Sequence, residues 1–179
     1  MKKALIIVSI VLCMCIIVFK LSTAGPKTKP IIKSSASYTK INGLTELKQL
    51  SSTIVEIVGT DKYKIADYKG IPMRVSTLKV TEVLKGNKQL TEITIMQTEG
   101  LETETPPAKG EKLLIFLRDS REPEGEFKSF YVPLGGSQGM YKIKVKDNKR
   151  YLAIHSMKND DIFKDLSGDY DEVKLKIKD

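Results

Sequence analysis

Hydrophobic and polar residues alternate along most of the chain beyond residue 52. Such alternation is typical of strands that bury one face, because successive side chains of a strand point to opposite sides. About six to seven strand-like segments are separated by stretches rich in glycine, proline and charge. They are TIVEIV, MRVSTLKVTEVL, TEITIMQT, KLLIFLRD, SFYVPL, MYKIKVK and RYLAI. The pattern predicts a mainly β fold in which the polar stretch DKYKIADYKG is a turn.

The longest segment, MRVSTLKVTEVL, changes parity along its length. Met73 and Val75 share one parity, whereas Leu78 and Val80 share the other. A regular strand cannot place both pairs on one face, so we expect a bulge or sharp bend near Ser76–Thr77. A strand that bends sharply favours a small antiparallel barrel over a sandwich.

The segment KLLIFL is apolar on both faces. Leu113, Ile115 and Leu117 have one parity, and Leu114 and Phe116 have the other. This pattern is typical of a strand that is covered on both sides. We expect it to be the most buried strand, with a short helix over its second face.

Two segments have helical signals. Leu44, Leu47 and Leu50 follow a helical spacing and predict a short N-terminal helix. Residues 169–178 begin with acidic side chains and end with basic ones, which suits a helix dipole. They therefore favour a C-terminal helix, although VKLKIK alternates as a strand would.

The first 24 residues indicate export. Lys2 and Lys3 precede an uncharged, mostly apolar run at residues 4–19. A helix of that length spans about 24 Å, slightly less than a hydrocarbon core. Both an uncleaved membrane anchor at 1–21 and a signal peptide cleaved after Ala24 fit this pattern. Either places the rest of the chain outside the cytoplasm, bound to the cell membrane or secreted.

Composition changes again after the apolar run. Residues 22–42 contain prolines, serines and lysines, which predict a flexible basic linker. Residues 43–179 then form the predicted barrel domain. The formal net charge is +8, but acids and bases are interleaved. We therefore expect no nucleic-acid partner, since such proteins concentrate positive charge and add stacking aromatics.

The inventory of chemically active side chains is small. Both cysteines, Cys13 and Cys15, lie in the apolar run, so the predicted domain has no thiol. His155 is the only histidine. We therefore expect no catalytic centre, no cofactor and no transition-metal site. A hydrolase that combines His155 with a loop serine or carboxylate remains the enzymatic alternative.

A glycine cluster lies in YVPLGGSQGMYKI and consists of Gly135, Gly136 and Gly139, with Ser137 and Gln138 between them. A phosphate-binding loop needs a helix N-terminus behind it, but a strand pattern follows here. The cluster therefore predicts a turn between two strands. The alternative is a loop that contacts a partner through Ser137 and Gln138.

Three lysines project from one face of the next predicted strand. Alternation places Lys142, Lys144 and Lys146 about 7 Å apart, opposite Tyr141, Ile143 and Val145, which we expect to point inward. Such a row suits an extended polyanion. The alternative is that it keeps an exposed β surface soluble.

The order of these motifs resembles a family of small exported or membrane-anchored proteins of Gram-positive bacteria. The resemblance covers about residues 44–155 and is carried by IVEIVGT, VSTLKVTEVLKGN, EITIMQTEG, GEKLLIFLRD and YVPLGGSQGMYKI. The family has no assigned activity, so the resemblance implies only a barrel. The strand layout is also similar to OB-like barrels of the kind found in tissue inhibitors of metalloproteases. This chain lacks their N-terminal cysteine.

Together these observations predict a non-enzymatic surface module that is tethered to the membrane through residues 4–19. Its expected partner is an envelope protein or an anionic envelope polymer. A protease inhibitor that inserts the loop 101–110 is a further alternative. The sequence leaves open the ligand, the oligomeric state and the processing of the N-terminus.

Overall fold

The computed structural model describes residues 38–120, 129–156 and 158–178. The predicted anchor at residues 4–19 lies outside this part of the chain. None of the helices in the described ranges is long and apolar enough to cross a membrane.

The described residues form eight strands, three α-helices and one 3-10 turn. In chain order these are α1 (Leu44–Leu50), β1 (Thr53–Val58), β2 (Tyr63–Tyr68), β3 (Ile71–Lys85), β4 (Glu92–Thr98), the 3-10 turn (Glu102–Glu104), β5 (Lys112–Asp119), β6 (Tyr131–Pro133), β7 (Met140–Lys146), β8 (Lys149–Ile154), α2 (Asp160–Asp165) and α3 (Tyr170–Lys178).

Five strands close a barrel in the order β1-β3-β4-β6-β5, and β1 pairs with β5 to complete it. All of these pairs are antiparallel except β4–β6. Numbered within the barrel, the strand order is 1-2-3-5-4, which is the arrangement of a five-stranded OB-like barrel. The predicted fold class is therefore confirmed. The strands β2, β7 and β8 extend the sheet beyond the barrel.

The prediction of a turn for DKYKIADYKG was wrong. Tyr63–Tyr68 forms β2, which pairs with the first half of β3. Lys69 and Gly70 have φ values of +54° and +82°, which suit a tight hairpin connection. The strand pairs on only one side and is mostly exposed, so its sequence lacks a continuous apolar face.

The bulge predicted near Ser76–Thr77 is also absent. The register between β3 and β4 is continuous from Met73 to Lys79. The irregularities in β3 lie farther along, where it pairs with β1. Strand β3 needs no one-residue slip in register, because each of its two faces packs against a different apolar cluster. Leu78 packs inside the barrel, whereas Val75 packs on the outer surface.

Strand β5 divides the two larger clusters. Its residues from Leu113 to Leu117 are completely buried, as predicted. Leu113 and Ile115 face the barrel interior. Leu114 and Phe116 face outward and are covered by α1, α2 and α3, which supply Leu47, Ile162 and Val173 among others.

The C-terminal helix is confirmed as α3. The Asp169 side chain accepts a hydrogen bond from the Asp171 backbone N–H at 2.9 Å, which caps the first turn. Val173 and Ile177 are buried one turn apart, while Leu175 between them is exposed. The apparent alternation in VKLKIK therefore has no structural consequence. Lys174 Nζ lies 2.9 Å from Glu56 Oε1 and fixes the helix to β1.

The β7–β8 hairpin turns at Asp147 and Asn148, both with positive φ. Tyr141 is buried and Ile143 is half-buried, but Val145 is 69% exposed. The prediction that Val145 points into the core was wrong. Pairing between β5 and β7 ends at Lys142, so the end of the hairpin projects beyond the barrel.

Candidate functional site

The glycine cluster forms the connection between β6 and β7. Gly135 and Gly136 have φ values of +57° and +67°, in the left-handed region that favours glycine. Gly139 lacks this conformation, but a Cβ there would lie 3.1 Å from Phe116 Cβ. The cluster is therefore a turn between two strands. At Gly139 the backbone of this turn lies close against β5.

Gly136 supports the first described residues of the chain. A Cβ on Gly136 would lie 2.7 Å from Tyr38 Cζ, so the tyrosine ring rests directly on the glycine backbone. The Tyr38 hydroxyl donates a hydrogen bond to Glu104 Oε1. We call residues 38–42 the N-terminal strap. The sequence assigns them to the end of the linker, yet Ile41 is only 3% exposed.

Gln138 connects the strap to α2. Its Nε2 donates to the Thr39 carbonyl at 3.3 Å, and its Oε1 accepts from Asn159 Nδ2 at 2.7 Å. Asn159 also donates to the Ile41 carbonyl at 2.9 Å. The groups that the sequence offers to an external partner are therefore used by the chain itself. Ser137 is completely buried as well.

The lysine row occupies one face of the β7–β8 hairpin. We define the hairpin face as Lys142, Lys144, Lys146, Lys149 and Tyr151. Cross-strand pairing places Lys144 opposite Tyr151 and Lys146 opposite Lys149. Lys142 is neutralised by Glu111, with Nζ and Oε1 2.7 Å apart. The other three lysines form no ion pair with a described residue, so the face presents unpaired positive charge beside an aromatic ring.

His155 lies next to this face but is enclosed. Its side chain is 1% exposed, and Nε2 is 2.9 Å from the Thr105 carbonyl oxygen. Nδ1 is 3.7 Å from Glu111 Oε2. Burial lowers the pKa of His155 below its ordinary value, while the Thr105 carbonyl and the Glu111 carboxylate act in the opposite direction. The geometry joins His155 to a carboxylate and not to a serine.

The loop 101–110 packs against the barrel. Leu101 is 7% exposed, and the Gly110 N–H donates to the Gly59 carbonyl at 2.9 Å. A Cβ on Gly59 would lie 2.0 Å from the Ala108 carbonyl oxygen, so the loop and β1 are in direct backbone contact. An inhibitory loop would need to project away from the domain. This loop is held against the domain at Leu101, Ala108 and Gly110.

A groove lies on the outer surface where β5 and β6 pair. Arg118 and Val132 are cross-strand partners there, and they border two neighbouring cavities. One cavity of about 230 Å³ includes Met96 and Phe130. The other, of about 360 Å³, includes Gly135 and Gly136. We call the two together the Arg118 groove. The glycine loop thus lines a cavity with its backbone, although its polar side chains are buried.

Sequence reasoning missed Arg118, although a signal was present. Arg118 has the same parity as Leu114 and Phe116, so it continues the outer face of β5 after the apolar run ends. It is exposed, and it forms no ion pair with any residue in the described ranges. A strand positions such a side chain more precisely than a loop would.

In the described part of the chain, no cluster of three or more His, Cys, Asp or Glu side chains could hold a metal ion. The acidic pairs of the sequence lie apart: Asp160 and Asp161 begin α2, and Glu102 and Glu104 lie in the 3-10 turn.

Comparisons with known proteins add no functional assignment. No family model matches the chain, and no curated protein or solved structure matches it.

Proposed function

We propose that this protein is a non-enzymatic, extracytoplasmic binding module, tethered to the membrane, that holds an anionic polymer of the cell envelope on its hairpin face. The observation that carries the proposal is the group Lys144, Lys146 and Lys149, which lacks acidic partners among the described residues and shares one surface with Tyr151. The tether and the location rest on the sequence of residues 1–42.

The spacing of the charges suits a polymer better than a single small anion. Lys144 and Lys146 are two residues apart on one strand, about 7 Å along it. Lys149 is the cross-strand partner of Lys146, and paired residues are about 5 Å apart. Several anionic groups of one extended chain can therefore contact the face simultaneously, and no deep pocket is required.

The position of the β7–β8 hairpin in the fold keeps Lys144, Lys146 and Lys149 accessible to a partner. The hairpin projects beyond β5, and its opposite face packs on the helix-covered core through Tyr141 and Ile143. The lysines are thus held on a supported strand pair but remain in solvent. A lysine near an anionic surface contributes about 1 kcal/mol. Binding should therefore be additive over the lysines and should weaken with added salt.

The two alternatives gain no support from the geometry. A hydrolase would need His155 to reach a substrate, but the side chain is 1% exposed and its Nε2 already contacts the Thr105 carbonyl. An inhibitor would need a projecting loop, whereas Leu101 and Gly110 hold loop 101–110 against the domain.

The test uses the full-length chain and long-chain inorganic polyphosphate as the probe. We expect the triple variant Lys144→Ala, Lys146→Ala, Lys149→Ala to bind about a hundredfold more weakly at low salt, since three contributions of about 1 kcal/mol are lost. The matched control changes Lys79, Lys164 and Lys176 to alanine, which alters the net charge equally at exposed positions elsewhere.

Three results would contradict the proposal. Equal weakening by both triple variants would mean that only the net charge matters. Tighter binding to phosphatidylglycerol vesicles than to polyphosphate would assign the face to the lipid surface. An affinity that is the same at about 50 mM and about 300 mM salt would also exclude a charge-based partner.

A further inference from the structure

A second surface, separate from the hairpin face, has the features of a ligand site. The Arg118 groove follows the outer face of β6 and of the residues on either side of it, from Phe130 through Val132 to Leu134. Its two cavities meet at the Arg118–Val132 pair. Taken together their volumes fall within the range of small-ligand sites, which is several hundred cubic ångströms.

The charge at the centre of the groove is uncompensated within the described residues. Glu104 lines the larger cavity, but its carboxylate accepts hydrogen bonds from the Tyr38 hydroxyl and from the Thr98 N–H. Glu46 also lines this cavity and accepts from the Asn42 N–H at 2.6 Å. Asp119 borders the smaller cavity without pairing with Arg118. Among the described residues around the groove, the guanidinium is therefore the group that is available to an incoming anion.

Apolar surface lies on both sides of this cation. Met96, Phe130 and Val132 contribute it in the smaller cavity. Leu50, Pro133 and Leu134 contribute it in the larger one. Leu50 is 50% exposed although it ends a helix whose other leucines are buried. A ligand for such a surface would carry one anionic group between two apolar groups.

We infer that the Arg118 groove binds an extended peptide segment of a partner protein in which an acidic side chain is flanked two residues away on each side by apolar side chains. An extended chain places residues i, i+2 and i+4 on one face, about 7 Å apart. Phe130, Val132 and Leu134 have the same spacing along β6. A peptide lying across the outer face of β6, which is already paired with β4 and β5, therefore directs its acidic side chain to Arg118 and its apolar side chains to the two cavities.

Arginine suits this role because its planar guanidinium can donate two parallel hydrogen bonds to one carboxylate. The strand pairing with Val132 fixes the backbone from which the side chain extends. The partner class is thus defined by the pattern apolar-x-acidic-x-apolar. The inference does not depend on the proposed polymer binding, since no hairpin-face lysine lines the groove.

Isothermal titration of the full-length chain with short peptides tests the inference. The probe is Phe-Ser-Glu-Ser-Leu, N-acetylated and C-amidated so that glutamate supplies its only carboxylate. We expect saturable binding, and we expect the matched peptide with glutamine in place of glutamate to bind roughly tenfold more weakly or worse. Arg118→Ala should cause a similar loss, and Arg118→Lys a smaller one.

The controls separate this site from the hairpin face. Lys112→Ala removes an exposed cation from the same strand and should leave the peptide affinity unchanged. The hairpin triple variant should also bind the peptide normally, and Arg118→Ala should bind polyphosphate normally. Unfolding midpoints of all variants should match the parent, because the altered side chains are exposed.

Four results would overturn the inference. The first is equal affinity for the glutamate and glutamine peptides. The second is unchanged affinity in Arg118→Ala. The third is no binding of the glutamate peptide at about 1 mM. The fourth is that octanoate, a small aliphatic carboxylate, binds as tightly as the peptide and competes with it, which would assign the groove to a small molecule.

Discussion

The side-chain carbonyl of Gln138 accepts a hydrogen bond from Asn159 Nδ2 at 2.7 Å, and this contact joins the glycine loop to the first turn of α2. The two residues are 5% and 7% exposed. Asn159 also caps α2, with its Oδ1 accepting from the Asp161 and Ile162 N–H groups. One buried pair of amides therefore holds three separate parts of the chain: the strap, the loop and the helix.

Gln138→Ala should lower the free energy of unfolding by about 2 kcal/mol, because the Ile41 N–H, 3.5 Å from Gln138 Oε1, and Asn159 Nδ2 both lose their acceptor. Urea denaturation measures the change. Gln89→Ala, at an exposed position, is the control and should stay within about 0.5 kcal/mol of the parent. The double variant Gln138→Ala, Asn159→Ala should cost less than the sum of the single variants, since they share a contact. Strict additivity would contradict the pairing.

Gly136→Ala should destabilise the protein more than Gly100→Ala does. Both glycines have positive φ, +67° and +77°, so both substitutions carry a backbone strain of about 1–2 kcal/mol. A Cβ at Gly136 would also meet the Tyr38 ring, whereas nothing lies within 4 Å of a Cβ at Gly100. We therefore expect Gly136→Ala to lower the free energy of unfolding by at least about 1 kcal/mol more than Gly100→Ala, as measured by denaturation. In a Tyr38→Ala background this difference should disappear, and its persistence would exclude the proposed ring contact as the cause.

His155 should titrate below its ordinary pKa of 6.5, chiefly because burial disfavours the imidazolium. The charged groups that face it are Glu111, which raises its pKa, and Lys142, which lowers it. The folded state then binds the proton less readily than the unfolded state. Stability should therefore fall as the pH drops below 6.5 towards the lower folded pKa. Because the chain has one histidine, a single imidazole Cε1–H signal in the NMR spectrum reports this pKa directly.

The matching stability experiment compares the parent with His155→Gln. Between about pH 7.5 and about pH 5.5 the parent should lose more unfolding free energy than the variant, which has no imidazole to protonate. A measured His155 pKa above 6.5 would contradict the expected direction, and so would a steeper pH dependence in the variant.

Local patterns predicted the core of the fold but not its edges. The alternating segments became β1, β3, β4 and β5–β8, because each has at least one face against an apolar cluster. The strand β2 was missed because an exposed edge strand has no continuous apolar face to produce the pattern. The bulge expected at Ser76–Thr77 is absent, because a change of parity requires no slip in a strand whose two faces pack against different apolar clusters.

The candidate site was predictable only in part. The lysines of the hairpin face follow from alternation, which is a property of one strand. The ion pair between Lys142 and Glu111 cannot be predicted from alternation, because Glu111 comes from outside the hairpin. Arg118 could be placed on the outer face by parity, but the cavities beside it are formed by β4, β6, α1 and the strap together.

The sequence by itself determined seven of the eight described strands and which lysines share a face, because these depend on neighbours a few residues apart. The tertiary structure alone decided that Gln138 binds the chain's own strap and that Arg118 stands between two cavities. Ile41 and Gln138 are 97 positions apart, and Ile41 and Asn159 are 118 apart. Contacts over such separations form only when the barrel closes, so no local pattern can encode them.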